Sequence, residues 1–359
     1  MNYRFLVCVR CFTFNHAPYI TDALNGFTMQ QTNFPFVCTI VDDASTDNEV
    51  EIIKEYLDNN FDLEDKSVVR KEETDDYVLI YARHKENRNC YFAVFFLKYN
   101  HHSIKKSKMS YISEWRDHVK YNAFCEGDDY WINPQKLQKQ IDILESHSEY
   151  GMCFTDFNLE DTVNGKNYYA QFNSNRTKFP IVYDLRQWIT NYYYAAPMTW
   201  IVRHELLAKI PKIKSSDGTY VWYAFFLWFS KVYCLNDVTA VYRRISDSAS
   251  NTLNPSKLYL REEGMYNAKK MMIENFMPKE EQSEVRRIVD EIYYSLCLKL
   301  MVALGKYEQL DVASNVLSGG NSLMQKFLLS YPRNKYATSV FRFFYVKYIS
   351  LRKRILNKI

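Results

Sequence analysis

The strongest constraint on the fold is a repeated pairing of a short apolar run with an amphipathic segment. FLVCVRC (residues 5–11) has strand length, and APYITDALNGFTMQQ follows with Ile20, Ala23, Leu24 and Phe27 at helical spacing behind Pro18. The unit recurs: FPFVCTIVDD (34–43) reads as a strand, and STDNEVEIIKEYL as a helix whose stripe is Ile53, Tyr56 and Leu57, with Thr46 and Glu49 at capping-box spacing. YVLIYAR (77–83) reads as a third strand, residues 86–119 as a less regular, mainly helical stretch, and KYNAFCEG (120–127) as a fourth strand. After Asn133 and Pro134, QKLQKQIDILESH carries Leu137, Ile141 and Leu144 on one helical face. This alternation predicts an α/β fold with a mostly parallel sheet and flanking helices, in which ligands bind beyond the carboxyl ends of the strands.

Past GMCFTDF the alternation weakens through 158–200. TYVWYAFFLWFSK then reads as an apolar helix, VYCLN and VTAVYRR as short strands, and 255–359 as mostly helical. A chain of 359 residues suits a main domain of roughly 200–250 residues with an extension. With 47% apolar and 25% charged residues it is expected to be ordered throughout. No apolar run reaches the roughly 18–20 residues that span a bilayer, and MNYRFLVCVRCF lacks a signal-peptide layout, so the expected location is cytoplasmic.

The eight cysteines lie mostly in apolar stretches, as reduced core thiols do. Cys8 and Cys11 form a C-x-x-C, but on a strand they point to opposite faces and no second pair stands at zinc-ligand spacing. His101 and His102, in YNHHSIKKSK, read as part of a solvated loop. From residue 312 onward there are nine basic residues and no acidic one, which leaves the rest of the chain at −5 within a net charge of +4. Interleaved with Phe341, Phe343, Phe344, Tyr345 and Tyr348, this tail has two readings: a peripheral contact with anionic lipid, or a terminal helix with a basic solvent face. Basic excess confined to one end, with no recognition motif, argues against nucleic-acid binding.

Two acidic pairs, Asp42-Asp43 and Asp128-Asp129, fall where strands are expected to end. Neighbouring carboxylates repel, so such a pair calls for a cation or a hydrogen-bonded ligand. Arg83, after the third strand, is either a diphosphate contact or half of a surface salt bridge.

TFNHAPYI, VDDASTD and CEGDDYWINPQKLQKQ, in that order and at that spacing, resemble the motifs of glycosyltransferase family 2 over about residues 3–155. The resemblance implies a GT-A fold (Rossmann-like) and inverting, metal-dependent transfer of one sugar from a nucleotide-sugar donor, most simply a UDP-sugar. The expected acceptor is a glycan or lipid-linked saccharide in cell-surface polysaccharide biosynthesis. It divides residues 1–250 into a nucleotide-binding half (1–155) and an acceptor half (156–250), with a helical C-terminal extension at 251–359. Thr13, Phe14, Asn15 and Asp43 would face the nucleotide, Phe14 standing where a tyrosine is usual. Asp128 would meet the ribose or the metal shell, and Asp129 would ligate Mg²⁺ or Mn²⁺, whose hard oxygen ligands the diphosphate and water complete. Asp217, before the aromatic helix, matches the base that takes the acceptor proton, with a turn or N-cap aspartate as the other reading. In DVTAVYRRISDSAS, Arg243 or Arg244 would steady the diphosphate, and Ile245 replaces a frequent histidine.

Three other functions compete. A receiver domain would place its acidic pair after the first strand. A noncatalytic nucleotide-sugar or glycan-binding partner would keep the fold without the chemistry. A nucleotidyltransferase would need a Gly-rich, Lys-containing loop near the N-terminus, which is missing.

Overall fold

The computed structural model describes residues 3–174, 181–190, 196–210, 218–245, 254–317 and 322–356. Its centre is four parallel strands in the order β5 (Cys90–Leu97), β2 (Phe36–Asp42), β1 (Val7–Thr13), β6 (Tyr121–Phe124), in register from Cys90, Phe36, Val7 and Tyr121. Every residue of β2 is buried, as befits a strand covered on both faces. Helices α1 (Ile20–Thr28) and α2 (Glu49–Asn60) follow β1 and β2. Cys8 and Cys11 lie in different core clusters, on opposite faces of β1.

The sheet is extended by antiparallel neighbours. On one side stand β3 (Arg70–Glu73) and β4 (Tyr77–Arg83). On the other, β10 (Ile201–Arg203) joins β6 to β8 (Tyr150–Asp161), which runs parallel to β11 (Lys231–Arg244). A two-residue strand, β7 (Tyr130–Trp131), closes that edge against Ala240 and Val241, and β9 (Lys166–Tyr168) pairs with β8.

Two expectations need correction. Residues 90–97, assigned from the sequence to a mainly helical stretch, form a central parallel strand: CYFAVFFL is an unbroken apolar run, and its continuous burial removes the alternation that marks half-exposed strands. VYCLN and VTAVYRR are one strand, β11, whose pairing with β8 shifts register around Leu235, Val238 and Ala240.

After α3 (Ser113–Arg116), α4 (Lys136–Ser146), α5 (Gln171–Ser174), α6 (Leu185–Thr190), α7 (His204–Lys209) and α8 (Gly218–Phe229) come five C-terminal helices: α9 (Pro255–Phe276), α10 (Lys279–Leu304), α11 (Tyr307–Val316), α12 (Leu323–Leu329) and α13 (Lys335–Leu356). The extension is divided energetically. Met265, Ala268, Met272, Ile273, Val285 and Val289 of α9 and α10 belong to the core beneath the sheet, whereas Cys297, Leu298, Met301, Leu310 and Leu328 build a second core within the helices.

Candidate active site

The site begins where β1, β2 and β6 end. Thr13 closes β1 beside Asp42, and the loop 125–129 lies against it so closely that a Cβ on Gly127 would stand 2.1 Å from Thr13 Oγ1. Thr13 donates to Glu49, which also accepts from His16 N at 2.8 Å and lies 2.9 Å from Ser45 Oγ. Glu49 is fully buried, so the carboxylate expected to cap its own helix instead stitches the β1–α1 loop to the β2–α2 loop. Asn15, at φ +57°, adds a second stitch: its amide donates to Ser45 Oγ at 2.9 Å and its Oδ1 accepts from Thr46 N at 2.7 Å. Phe14 between them is exposed.

The first acidic pair is used from within. Asp42 is buried and accepts from the amide and hydroxyl of Ser45; burial pushes its carboxyl up to about 6 against those hydrogen bonds. Asp43 accepts from His101 N at 2.7 Å, His102 N at 3.1 Å and Lys108 Nζ at 2.9 Å. Burial alone would raise its pKa, but the Lys108 hydrogen bond and charge together with the two amides hold it below the usual range. Asp43 therefore anchors the loop that follows β5. His101 is not solvated as the sequence suggested: it is fully buried, with Nδ1 2.8 Å from Tyr99 O and Nε2 3.0 Å from Tyr111 Oη.

The second pair is different. Asp129 is buried and accepts from the backbone amide of Arg243 at 2.9 Å, yet neither Asp128 nor Asp129 has a salt bridge among the described residues. Burial and then the neighbouring Asp128 charge push the Asp129 carboxyl well above the usual range. A buried carboxylate in this setting needs a proton or a cation to offset the cost of burial. Glu126, on the same loop, is exposed and accepts from Phe12 N at 3.2 Å.

The supports beneath this loop are rigid. Trp131 is buried and donates to Met198 O at 2.8 Å, and its backbone abuts Gly26 of α1. Gln30, fully buried, donates to Gly26 O and Asn133 O, both at 3.0 Å, and accepts from Leu137 N at 3.1 Å. Lys136 is buried over the Trp131 ring at 4.7 Å, its ammonium on Gln140 Oε1, and burial lowers its pKa to about 7.

Not every expected residue joins the cluster. Arg83 ends β4, which runs antiparallel to β5 and pairs there with Tyr91, so it lies at the amino edge of the parallel strands, about 20 Å back from the carboxyl end of β5 at 3.3 Å per residue. It faces Asp62 and Asp65, the salt-bridge alternative of the sequence reading, and is withdrawn as a diphosphate contact. Arg243 is at the site but its guanidinium is committed: Nε donates to Glu160 at 2.9 Å, Nη2 to Asp22, and the plane lies 4.2 Å from the Tyr130 centroid. It braces the acidic loop from behind. Arg244 turns to Asp161 at 3.0 Å. Asp217 lies outside the described residues.

Residues 9–93 match the model of glycosyl transferase family 2. Over those residues, about a quarter of the chain, it is similar to that family. The likeness of fold extends further along the chain: TarS residues 1–349 from S. aureus, solved with UDP-GlcNAc, superimposes with a TM-score of 0.53 at 15% identity, over 97% of this chain and 91% of that one. A mannosyltransferase from Pyrobaculum calidifontis, solved with GDP-Man and Mn²⁺, gives a TM-score of 0.50 at 12% identity over 98% and 87%. At such identities the likeness establishes the fold, GT-A-like with C-terminal helices. Uncharacterized proteins of Mycobacterium bovis and Mycobacterium tuberculosis are 33% identical over 142 residues, 40% of this chain. That match spans only 32% of the relatives' own length.

Sequence reasoning missed Glu49 as a loop stitch, Lys108 as the partner of Asp43, and Arg10. Only Arg10 had a local signal, a charge inside a strand otherwise apolar on both sides.

Proposed function

We propose that the protein is an inverting, metal-dependent glycosyltransferase that moves one sugar from a nucleotide-sugar, a UDP-sugar in the simplest case, to a glycan or lipid-linked acceptor during cell-surface polysaccharide synthesis. The observation that carries this reading is Asp129: a buried carboxylate beside a second one, at the carboxyl edge of a family 2 sheet, held by one amide and paired with no cation among the described residues. No cluster of three or more His, Cys, Asp or Glu side chains suited to a metal occurs among the described residues. A donor diphosphate supplies its own oxygens, so one or two carboxylates fit Mg²⁺ or Mn²⁺. Such an ion, when bound, would neutralise charge developing on the leaving diphosphate.

The chain's own residues divide the remaining work. Asp129 is oriented toward the cleft by the Arg243 amide, while Asp128 faces the ribose or the metal shell. Phe14 offers a stacking face to the base, with Thr13 and Asn15 fixing the loop that presents it. Asp43 acts through the loop it anchors, setting the base pocket wall at 101–108. Asp217 is assigned as the base that removes the acceptor proton, on the family resemblance.

The test is binding and slow hydrolysis of UDP-, GDP- and dTDP-sugars with Mn²⁺ or Mg²⁺. Asp129→Asn is expected to lose metal-dependent turnover at least about 100-fold, and Asp217→Asn to keep donor binding while losing transfer. Absence of metal-dependent binding for every nucleotide overturns the enzyme reading in favour of a noncatalytic partner, a role that the internally committed Asp43 and Arg243 would also suit.

The same reading places the enzyme in the cytoplasm, peripheral to the inner membrane face. No described helix is long and apolar enough to cross a membrane. The basic terminal segment exposes Phe327, Tyr336, Phe343, Phe344 and Tyr348, an aromatic and cationic surface suited to anionic lipid.

A further inference from the structure

Beside the acidic loop, over one face of the paired strands β1 and β6 and under the first turn of α8, lies a cavity of about 210 Å³. Its walls include Phe12, Phe124, Trp200 and Trp222, and its polar lining includes Arg10 and Glu126. Arg10 is the anomaly. Its side chain projects from the middle of β1, only 5% exposed, with Nη2 3.3 Å from Met109 Sδ and the guanidinium stacked 4.9 Å from the Phe124 centroid and 5.4 Å from that of Trp222. Its Nε is a buried donor without a partner, and no carboxylate lies within 4.0 Å salt-bridge range of the guanidinium among the described residues. Glu126 lines the same cavity, but its Oε2 is taken up by the Phe12 amide.

A buried guanidinium that feels Glu126 and Asp117 only at a distance, without a direct ion pair, is costly to maintain, and the partner it fits best is a planar carboxylate held by two parallel N–H donors. Aromatic walls add the apolar faces on which a pyranose ring stacks, and Glu126 provides an acceptor for a hydroxyl. A neutral sugar would fill the walls and leave Arg10 as it is. We infer that this cavity binds a sugar ring bearing a carboxylate, a hexuronic acid in chemical class, with Arg10 as the specificity-determining contact. The proposal takes from the glycosyltransfer reading the idea that the ring belongs to a donor or an acceptor; the binding event itself can be measured without transfer.

The experiment uses the full chain and two sources of the same ring. Methyl glucuronide and methyl glucoside are titrated against tryptophan fluorescence, and UDP-glucuronate and UDP-glucose are titrated with Mn²⁺, for wild type, Arg10→Gln and Arg10→Lys. Wild type is expected to bind a carboxylate sugar at least tenfold more tightly than its neutral counterpart. Arg10→Gln should lose that preference, Arg10→Lys should keep part of it, and all three should bind UDP alike. Preference among free glycosides assigns the ring to the acceptor, and preference among UDP-sugars assigns it to the donor. Equal binding of neutral and carboxylate sugars by wild type overturns the inference even if the variants fail to fold. Preference retained in Arg10→Gln, or stronger binding of glucose 6-phosphate than of glucuronate, overturns it as well. If no nucleotide binds but the glucuronide preference stands, the transferase reading fails and this one survives.

Discussion

Gly127 shows how tightly the acidic loop is set. A Cβ there would meet Thr13 Oγ1 at 2.1 Å and Thr13 Cβ at 2.6 Å, and Thr13 is itself held by Glu49. Gly127→Ala is expected to cost about 1–3 kcal/mol and to weaken donor binding with it, read from thermal unfolding and nucleotide titration on the same sample. Lys136 gives a pH-dependent expectation. Its pKa falls from 10.5 unfolded to about 7 folded because of burial, so the unfolded chain binds more protons between those values. Stability therefore falls as pH drops from about 10 to 7 and levels off below 7. Lys136→Met removes this term, so its melting temperature relative to wild type should rise across that interval, by an amount corresponding to at most a few kcal/mol. A flat difference between pH 10 and pH 7 would show that Lys136 remains charged in the fold.

At the scale of elements, the contact between α1 and β7 decides the position of the second acidic pair. Gly26 lets the helix approach the Trp131 backbone, where an added Cβ would stand 2.8 Å from Trp131 N, and the buried indole is secured to Met198. Trp131→Ala should cost about 3–5 kcal/mol in chemical denaturation, because the cavity opens beneath a loop with little room to collapse. Arg83 provides the opposite expectation. Placed at the far edge of the sheet by an antiparallel β4, Arg83→Ala should leave donor affinity unchanged within twofold and lose under about 1 kcal/mol of stability. The direction of β4 was not legible locally. YVLIYAR reads alike in either orientation, and the missed β5 between it and the next helix removed the clue that β4 and β5 form an antiparallel pair.

For the whole molecule, the two-part helical extension changes how the tail is to be probed. Ending the chain near residue 311 would strip Leu328, Phe341 and Tyr345 from the second core, so loss of lipid binding could follow from lost packing alone. Phe343→Ser with Phe344→Ser leaves that core intact, since both rings are exposed. The double variant is expected to keep its melting temperature and to lose at least about fivefold in binding to anionic vesicles; undiminished binding would assign the tail to packing and solvation only.

The sequence by itself determined the β-α rhythm, the position of both acidic pairs at strand ends and the family resemblance, because strand-length apolar runs, helical stripes and short ordered motifs are local patterns. Tertiary structure decided what local patterns cannot carry: that CYFAVFFL is a central strand, that Asp43 is spent on the loop of His101, that Arg243 braces rather than faces the cleft, and that Arg10 is buried beside an aromatic cavity. Each of these depends on which distant segment supplies the neighbour. Burial and charge pairing are properties of that neighbour as much as of the residue, so they exist only once the chain has closed.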